Sequence, residues 1–208
     1  MGLPLVTKAE YKAYQGITST TSDALIDALI PKVSELVKNT CRRTFIDYVD
    51  DAKIQYSEGG TDSISLDEFP IIAVSSVEYS TDYGNTYTTL TEFTNYAVSK
   101  ATDSLRPILM TTPPLEVYGY TPYGTKTNPI FPYAINGYKI TYNAGYEVLP
   151  EDLKLAVLDI VAYYVKNDSA VHTHVSGNPN TMQVEYIKNT QFPAHIRRIL
   201  ELYSANYN

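Results

Sequence analysis

The sequence predicts an α+β protein: a helical frame with an antiparallel β domain inserted into it. Three observations predict it. Apolar residues recur at steps of three and four near both ends of the 208-residue chain, which is the spacing of one helix face. Between them the period drops to two, and β-branched and aromatic residues dominate, as in half-buried strands. The hydrophobic share of 44% is ordinary for a globular protein, and the length suffices for a real core. Four segments result. N-terminal helices occupy 1–45, and the inserted β region occupies 46–146 with a Pro/Tyr-rich loop at 111–132. A central helix covers 147–167, and a C-terminal arm and helix cover 168–208.

Each element has a local reason. Thr7-Lys8-Ala9-Glu10 reads as a capping box that starts a short helix ending near Gly16. The Thr/Ser cluster at 18–22 caps a longer helix, whose apolar face is Leu25, Ile26, Leu29, Ile30, Val33, Leu36, Val37 and Cys41. Pro31 lies inside it, and a kink is expected there. In the middle, six to eight short antiparallel strands are expected, around Ile54 with Tyr56, Ile64 with Leu66, 74–79, 87–90, 96–98, 108–110 and 138–142. Glu58-Gly59-Gly60, Asp82-Tyr83-Gly84-Asn85 and Asn136-Gly137 are the turns between them. The segment 111–132 holds five of the twelve prolines and reads as an extended loop, or an arm that orders against a neighbour. Pro150 at the first helical position, with Glu151 and Asp152 in the positive first turn, starts the central helix. Residues 153–165 of that helix are apolar nearly all round, so several sides must be covered. The chain's own core can cover one side; a neighbouring subunit or more of the same core covers the rest. Beyond it, Met182, Val184 and Tyr186 alternate as one strand or arm, and Phe192-Pro193 opens a last helix whose inner face is Ile196, Ile199, Leu200 and Tyr203.

Charge and composition narrow the function. Twenty tyrosines stand against no tryptophan; tyrosine is enriched at interfaces, and it also favours strands. The net charge is −7, and residues 47–116 carry twelve acids and three bases, a local −9. Such a surface does not attract a phosphate backbone, although DNA could slide past it without sticking. A single cysteine excludes an intrachain disulfide framework. The N-terminal residues lack a signal-peptide pattern, and no stretch is apolar enough to span a bilayer, so no membrane partner is expected.

Candidate chemistry is thin. Cys41 with a histidine invites a nucleophile reading, but it sits on the apolar face of its helix, where cysteine behaves as a small hydrophobe. His172 and His174 could form half a metal site, yet no further ligand stands at the right spacing. His195 is expected to face outward. Asp50-Asp51 and Asp67-Glu68 are better explained as turn and solvated residues than as acid–base pairs, because neighbours on a strand point to opposite faces. Phosphate-loop, GxSxG, HExxH and CxxC motifs are absent. No catalytic residue, metal or cofactor is therefore assigned, and an enzyme is not expected. Arg42-Arg43 and Arg197-Arg198 read as basic doublets at helix ends that satisfy carbonyls and complement the negative pole, or that meet a partner's acidic patch.

Several segments, in order along the chain, carry a resemblance. They are Leu5-Val6-Thr7-Lys8-Ala9-Glu10-Tyr11, the helix running into Cys41-Arg42-Arg43-Thr44-Phe45, and Leu66-Asp67-Glu68-Phe69-Pro70-Ile71-Ile72-Ala73-Val74. Tyr142-Asn143-Ala144-Gly145-Tyr146, Leu149-Pro150-Glu151-Asp152-Leu153-Lys154 and Phe192-Pro193-Ala194-His195-Ile196 complete the set. Together they resemble the head–tail connector (adaptor, or head-completion) proteins of tailed bacteriophages. The resemblance is weakest over 111–132 and 167–191. It implies a structural virion protein that forms a homo-oligomeric ring, a dodecamer, assembled in the host bacterial cytoplasm and located in the neck. The ring would dock on the portal protein, meet a tail terminator or other neck protein, and let DNA pass without sequence-specific binding. The implied interface residues are Leu158, Val161, Tyr164, Val165, Tyr186, Phe192, Ile196, Arg197, Arg198 and Tyr203. The alternatives are another phage tail or neck protein, or a carbohydrate-binding accessory protein.

Overall fold

A computed structural model describes residues 2–108, 129–167 and 193–205. It is an α+β structure in two compact units. One comprises Met1–Arg43 with Val148–Asn208, the other Thr44–Glu147.

The first unit is helical: α1 (Lys8–Gln15), α2 (Asp23–Cys41), α3 (Glu151–Asn167) and α4 (Ala194–Tyr203). The capping box forms as the sequence predicts: Thr7 Oγ1 accepts from the Glu10 amide at 3.2 Å, and the Thr7 amide donates to Glu10 Oε2 at 2.8 Å. Gly16 ends α1 in the left-handed region that glycine enters without steric cost. Ser22 precedes α2 but makes no side-chain cap bond, so the expected hydroxyl cap is not used. α2 passes through Pro31 as one element and buries Ile26, Ile30, Val33, Val37 and Cys41. Pro150 stands just outside α3 rather than at its first position, and its carbonyl accepts from the Lys154 amide at 2.8 Å. α3 packs with α1, α2 and α4. It buries Leu153, Ala156, Val157, Leu158, Ile160, Val161 and Ala162. The carbonyl of Cys41 accepts from the Ala205 amide at 2.9 Å, tying the end of the described chain to the end of α2.

Among its described residues the second unit holds seven strands in two antiparallel sheets around one core. The strands are β1 (Lys53–Ser57), β2 (Ile64–Ser65), β3 (Ile71–Tyr79), β4 (Thr88–Leu90), β5 (Tyr96–Ser99), β6 (Ser104–Pro107) and β7 (Tyr138–Ala144). One sheet runs β1-β7-β3-β4 and the other β2-β6-β5. β7 lies between β1 and β3, with Ile54 opposite Thr141 and Val77 opposite Ile140. The alternation along β7 puts Tyr138, Ile140, Tyr142 and Ala144 inside. β6 falls at 104–107, where no strand is expected; its Pro107 stands at the strand end, where a ladder donor is not needed. Of the strand expected at 108–110, residues 109 and 110 lie outside the described residues. The alternation of β1 is inverted relative to a core reading. Ile54 and Tyr56 are exposed, while Gln55 turns inward to accept from the Tyr142 hydroxyl at 2.9 Å and the Asp67 amide at 3.0 Å.

Three details correct the sequence reading. Glu68 is buried, not solvated: the Thr44 amide donates to both its carboxylate oxygens, at 3.0 and 3.2 Å, and Lys53 Nζ lies 3.9 Å away. Its partners come from elsewhere in the chain, which local sequence does not show. The second is the last part of the Pro/Tyr-rich loop. Phe131 is fully buried, and its backbone exchanges bonds with Thr61 and Gly60 at 2.8 and 2.7 Å. Residues 111–128 of that loop lie outside the described residues. The third is a clasp where the chain joins and leaves the unit. The Tyr146 amide donates to the Phe45 carbonyl at 2.8 Å and the Ala144 amide to Tyr48 at 2.9 Å, while Asn143 Nδ2 reaches the Val49 carbonyl at 3.2 Å. Gly145 sits here at φ 117°, and a Cβ on it would collide with the Phe45 carbonyl oxygen.

Gly145→Ala should therefore lower stability by about 2–4 kcal/mol, through both strain and the collision. A denaturant midpoint equal to that of the parent protein would refute the clasp as described. Val161→Asp, an uncompensated charge at a fully buried site of α3, should cost about 3–5 kcal/mol. Loss of helical circular dichroism or of soluble protein is the expected readout, and a parent-like melt would contradict the burial.

Candidate interaction surface

α3 is laid out by its 3.6-residue period. Leu153, Val157, Ile160 and Val161 turn into the helical unit, while Leu155, Asp159 and Tyr163 follow at steps of four along another side. Leu155 and Tyr163 remain 43% and 40% exposed. The polar groups of α3 are held from the neighbouring helices. Asp152 Oδ1 accepts from the Tyr203 hydroxyl at 2.7 Å. Lys154 Nζ pairs with Glu10 at 3.2 Å, and Asp159 Oδ1 accepts from the Tyr14 hydroxyl at 2.7 Å. That bond to a carboxylate raises the Tyr14 phenol above its ordinary pKa. His195 Nε2 approaches the other oxygen of Asp159 at 3.7 Å.

Between the end of α1, the second half of α3 and the start of α4 lies an open cleft of about 300 Å³. Gln15, Asp159, Tyr163, Tyr164, Lys166 and His195 line it. Its one carboxylate is engaged by Tyr14, and its walls are rings and aliphatic stems. That is the makeup of a recognition surface, with large aromatic area and a few fixed polar groups.

The residues expected at interfaces fall into three groups. Leu158, Val161 and Ile196 are buried within the helical unit itself. Tyr164, Val165 and Tyr203 are half-buried, and Arg197 and Arg198 are exposed. Tyr186 and Phe192 lie outside the described residues, as do His172 and His174. The arginine doublets also need correction. Arg43 is buried, so it cannot meet a partner's acidic patch. Arg197 and Arg198 lie near the start of α4, away from its negative pole, so a dipole role is lost and exposure to a partner remains. Sequence reasoning missed Leu155 and Tyr163. Both belong to a run that is apolar nearly all round, with only Lys154 and Asp159 interrupting it, and the packing of α1, α2 and α4 tells the covered sides from the bare one.

Cys41 is fully buried; its thiol lies 3.5 Å from the Leu200 carbonyl, and burial pushes its pKa up to about 11. A thiol so placed is not a thiolate at neutral pH and is poorly suited to attack. Among the described residues no group of three or more His, Cys, Asp or Glu could hold a metal ion, and no helix is long and apolar enough to cross a membrane.

Comparison with known proteins returns one consistent likeness. The whole chain matches a chain from the neck of an empty gene transfer agent particle, computed with C6 symmetry, at TM-score 0.55 and 13% identity, covering 91% of that chain. A chain from the neck of the native particle, computed with C12 symmetry, aligns with 96% of this chain and 88% of its own length, at TM-score 0.56 and 12% identity. A chain from the virion of the native particle aligns with all of this chain and 91% of its own, at TM-score 0.56 and 14% identity. At such identity these likenesses speak for the fold. No curated protein matches the sequence. The sequence model of the head completion proteins matches residues 4–89 and 78–205. The match runs through both units and nearly end to end, and the chain belongs to the head completion protein family.

Proposed function

We propose that this chain is a head–tail connector: a structural virion protein that forms a ring in the neck, docks on the portal vertex and joins the head to the tail. The observation that carries this reading is the likeness through both units to neck chains of particles computed with C6 and C12 symmetry, within a family of head completion proteins. Partners in this reading are further copies of the chain, the portal protein, and a tail terminator or other neck protein. No catalytic step is required of it.

The surface chemistry supports the same reading. Leu155 and Tyr163 leave apolar area on α3 for a neighbour to cover, beside the cleft at Asp159 and His195. Arg197 and Arg198 offer positive charge on α4 to the portal or to the next copy. The acidic composition of residues 47–116, net −9, suits a channel wall if that region faces the lumen, since negative charge repels phosphate and keeps a passing DNA duplex from sticking.

The test is the mass of the purified protein by native mass spectrometry or mass photometry, alone and mixed with the portal of its own particle. A ring of many copies is expected in at least the mixture, and a strict monomer that never binds portal would overturn the assignment. Leu155→Lys should leave the melting temperature near that of the parent and weaken assembly about tenfold or more, as loss of an interface anchor does. Assembly at parent strength would remove α3 from the interface.

A further inference from the structure

The turns of the β unit gather at one end of the larger sheet. Ser57, Tyr138, Tyr79 and Thr88 stand in register across β1, β7, β3 and β4. Beyond that line lie the residues that follow β1, those that link β3 to β4, and those that precede β7. They are fastened to one another. The Gly60 amide donates to the Phe131 carbonyl at 2.7 Å, and the Ala134 amide to the Glu58 carbonyl at 2.8 Å. The Ser80 amide donates to the Gly137 carbonyl at 2.8 Å, and the Tyr87 hydroxyl to the Asn136 carbonyl at 2.9 Å. Asp82 holds the β3–β4 turn from inside. It accepts from the Thr86 amide at 2.8 Å and from the Ser80 and Thr86 hydroxyls at 2.7 Å.

Three rings stand out from this end. Tyr56 is 55% exposed, Tyr83 75% and Tyr133 65%. Tyr83 holds a left-handed backbone, at φ 62°, a costly conformation for a bulky side chain. The bonds of the turn keep it there. The two longer turns read Tyr-Gly-Asn-Thr-Tyr at 83–87 and Tyr-Ala-Ile-Asn-Gly at 133–137. Tyrosine, glycine and asparagine also dominate antibody binding loops. Tyrosine brings wide contact area with few rotatable bonds, and the small polar residues bring adaptable hydrogen bonds.

Charge narrows the partner. Residues 54–60, 78–87 and 131–139 carry Glu58, Glu78 and Asp82 against one base, Lys139. That base is already engaged: its Nζ lies 2.9 Å from Glu78 Oε2 and 5.7 Å from the centroid of the Tyr87 ring. Glu58 is exposed and accepts from the Tyr133 hydroxyl. The surface therefore offers carboxylate beside ring faces. An arginine or lysine can meet the one and lie over the other. The same charge repels the phosphates of DNA, and it repels the like-charged end of another copy.

We propose that this tyrosine-bearing end of the β unit is a docking surface for a different protein of the particle, one that presents arginine or lysine side chains to Tyr56, Tyr83, Tyr133 and Glu58. The proposal rests on the connector reading, in which the helical unit meets further copies and the portal and the chain must also hold another neck protein.

Crosslinking in assembled particles tests it. The photo-crosslinker p-benzoylphenylalanine is placed at Tyr83 or at Tyr133, and the captured peptide is identified by mass spectrometry. The expected capture is a peptide of a different virion protein with arginine or lysine beside the crosslink. Capture of this chain alone, of DNA, of a peptide without a basic residue, or of nothing would overturn the proposal. Tyr83→Ser, Tyr133→Ser and Glu58→Gln give a second reading. Each should keep the parent melting temperature and the parent copy number by mass photometry, and should lower the joining of purified heads to purified tails about tenfold or more. Full joining by all three variants would overturn the docking surface and leave the ring reading intact. A parent protein that forms no ring and binds no portal would overturn both. Loss of copy number in the variants would assign this end to contacts between copies, and the proposal as stated would fall.

Discussion

The β unit depends on one constraint: its two chain ends must be held side by side. The chain passes through Thr44, Phe45 and Tyr48 going in and through Ala144, Gly145 and Tyr146 coming out, and backbone bonds of 2.8 and 2.9 Å fasten the two runs. Glu68 secures the incoming run by accepting the Thr44 amide on both oxygens. Gly145 lets the runs approach, since any side chain there would displace the Phe45 carbonyl. An insertion with pinned ends costs less loop entropy than one with free ends. The strands β1 to β7 can then order between Thr44 and Glu147 within one compact unit.

Tyrosine divides between two roles. Tyr138 and Tyr142 are fully buried, and each keeps its hydroxyl bonded, Tyr138 to the Pro132 carbonyl at 3.1 Å and Tyr142 to Gln55 at 2.9 Å. Burial raises both phenols well above their ordinary pKa, so they remain neutral donors in the core. The ring of Tyr138 packs against Tyr79 and Phe131 with centroids 5.0 and 5.2 Å away. Tyr56, Tyr83 and Tyr133 are exposed. Strand packing thus accounts for one set of tyrosines, and another set stands exposed.

For a family of head completion proteins, the informative surfaces are those that a lone chain leaves bare. On the helical unit these are the Leu155–Tyr163 side of α3 and the cleft beside it; on the β unit, the tyrosine-bearing end of the larger sheet. Among the described residues, neither surface brings together a nucleophile, base and oxyanion donor.

Much of this was determined by sequence alone. The capping box at Thr7 and Glu10, the glycine stop at Gly16, the apolar face of α2 and the alternation through β3 and β7 are local signals, and each produced its element. So did the ordered segments that resemble connectors and match the family. Other features needed the folded chain, because they depend on residues far apart in sequence. Glu68 is buried only because Thr44 comes to it, and Gln55 turns β1 inside out only because Tyr142 offers a hydroxyl. The apolar run of α3 could not say which side stays bare. Tertiary packing decided that: it covered Leu158 and Val161, left Leu155 and Tyr163 open, and moved the candidate contacts to side chains whose periodicity alone looked the same as the core.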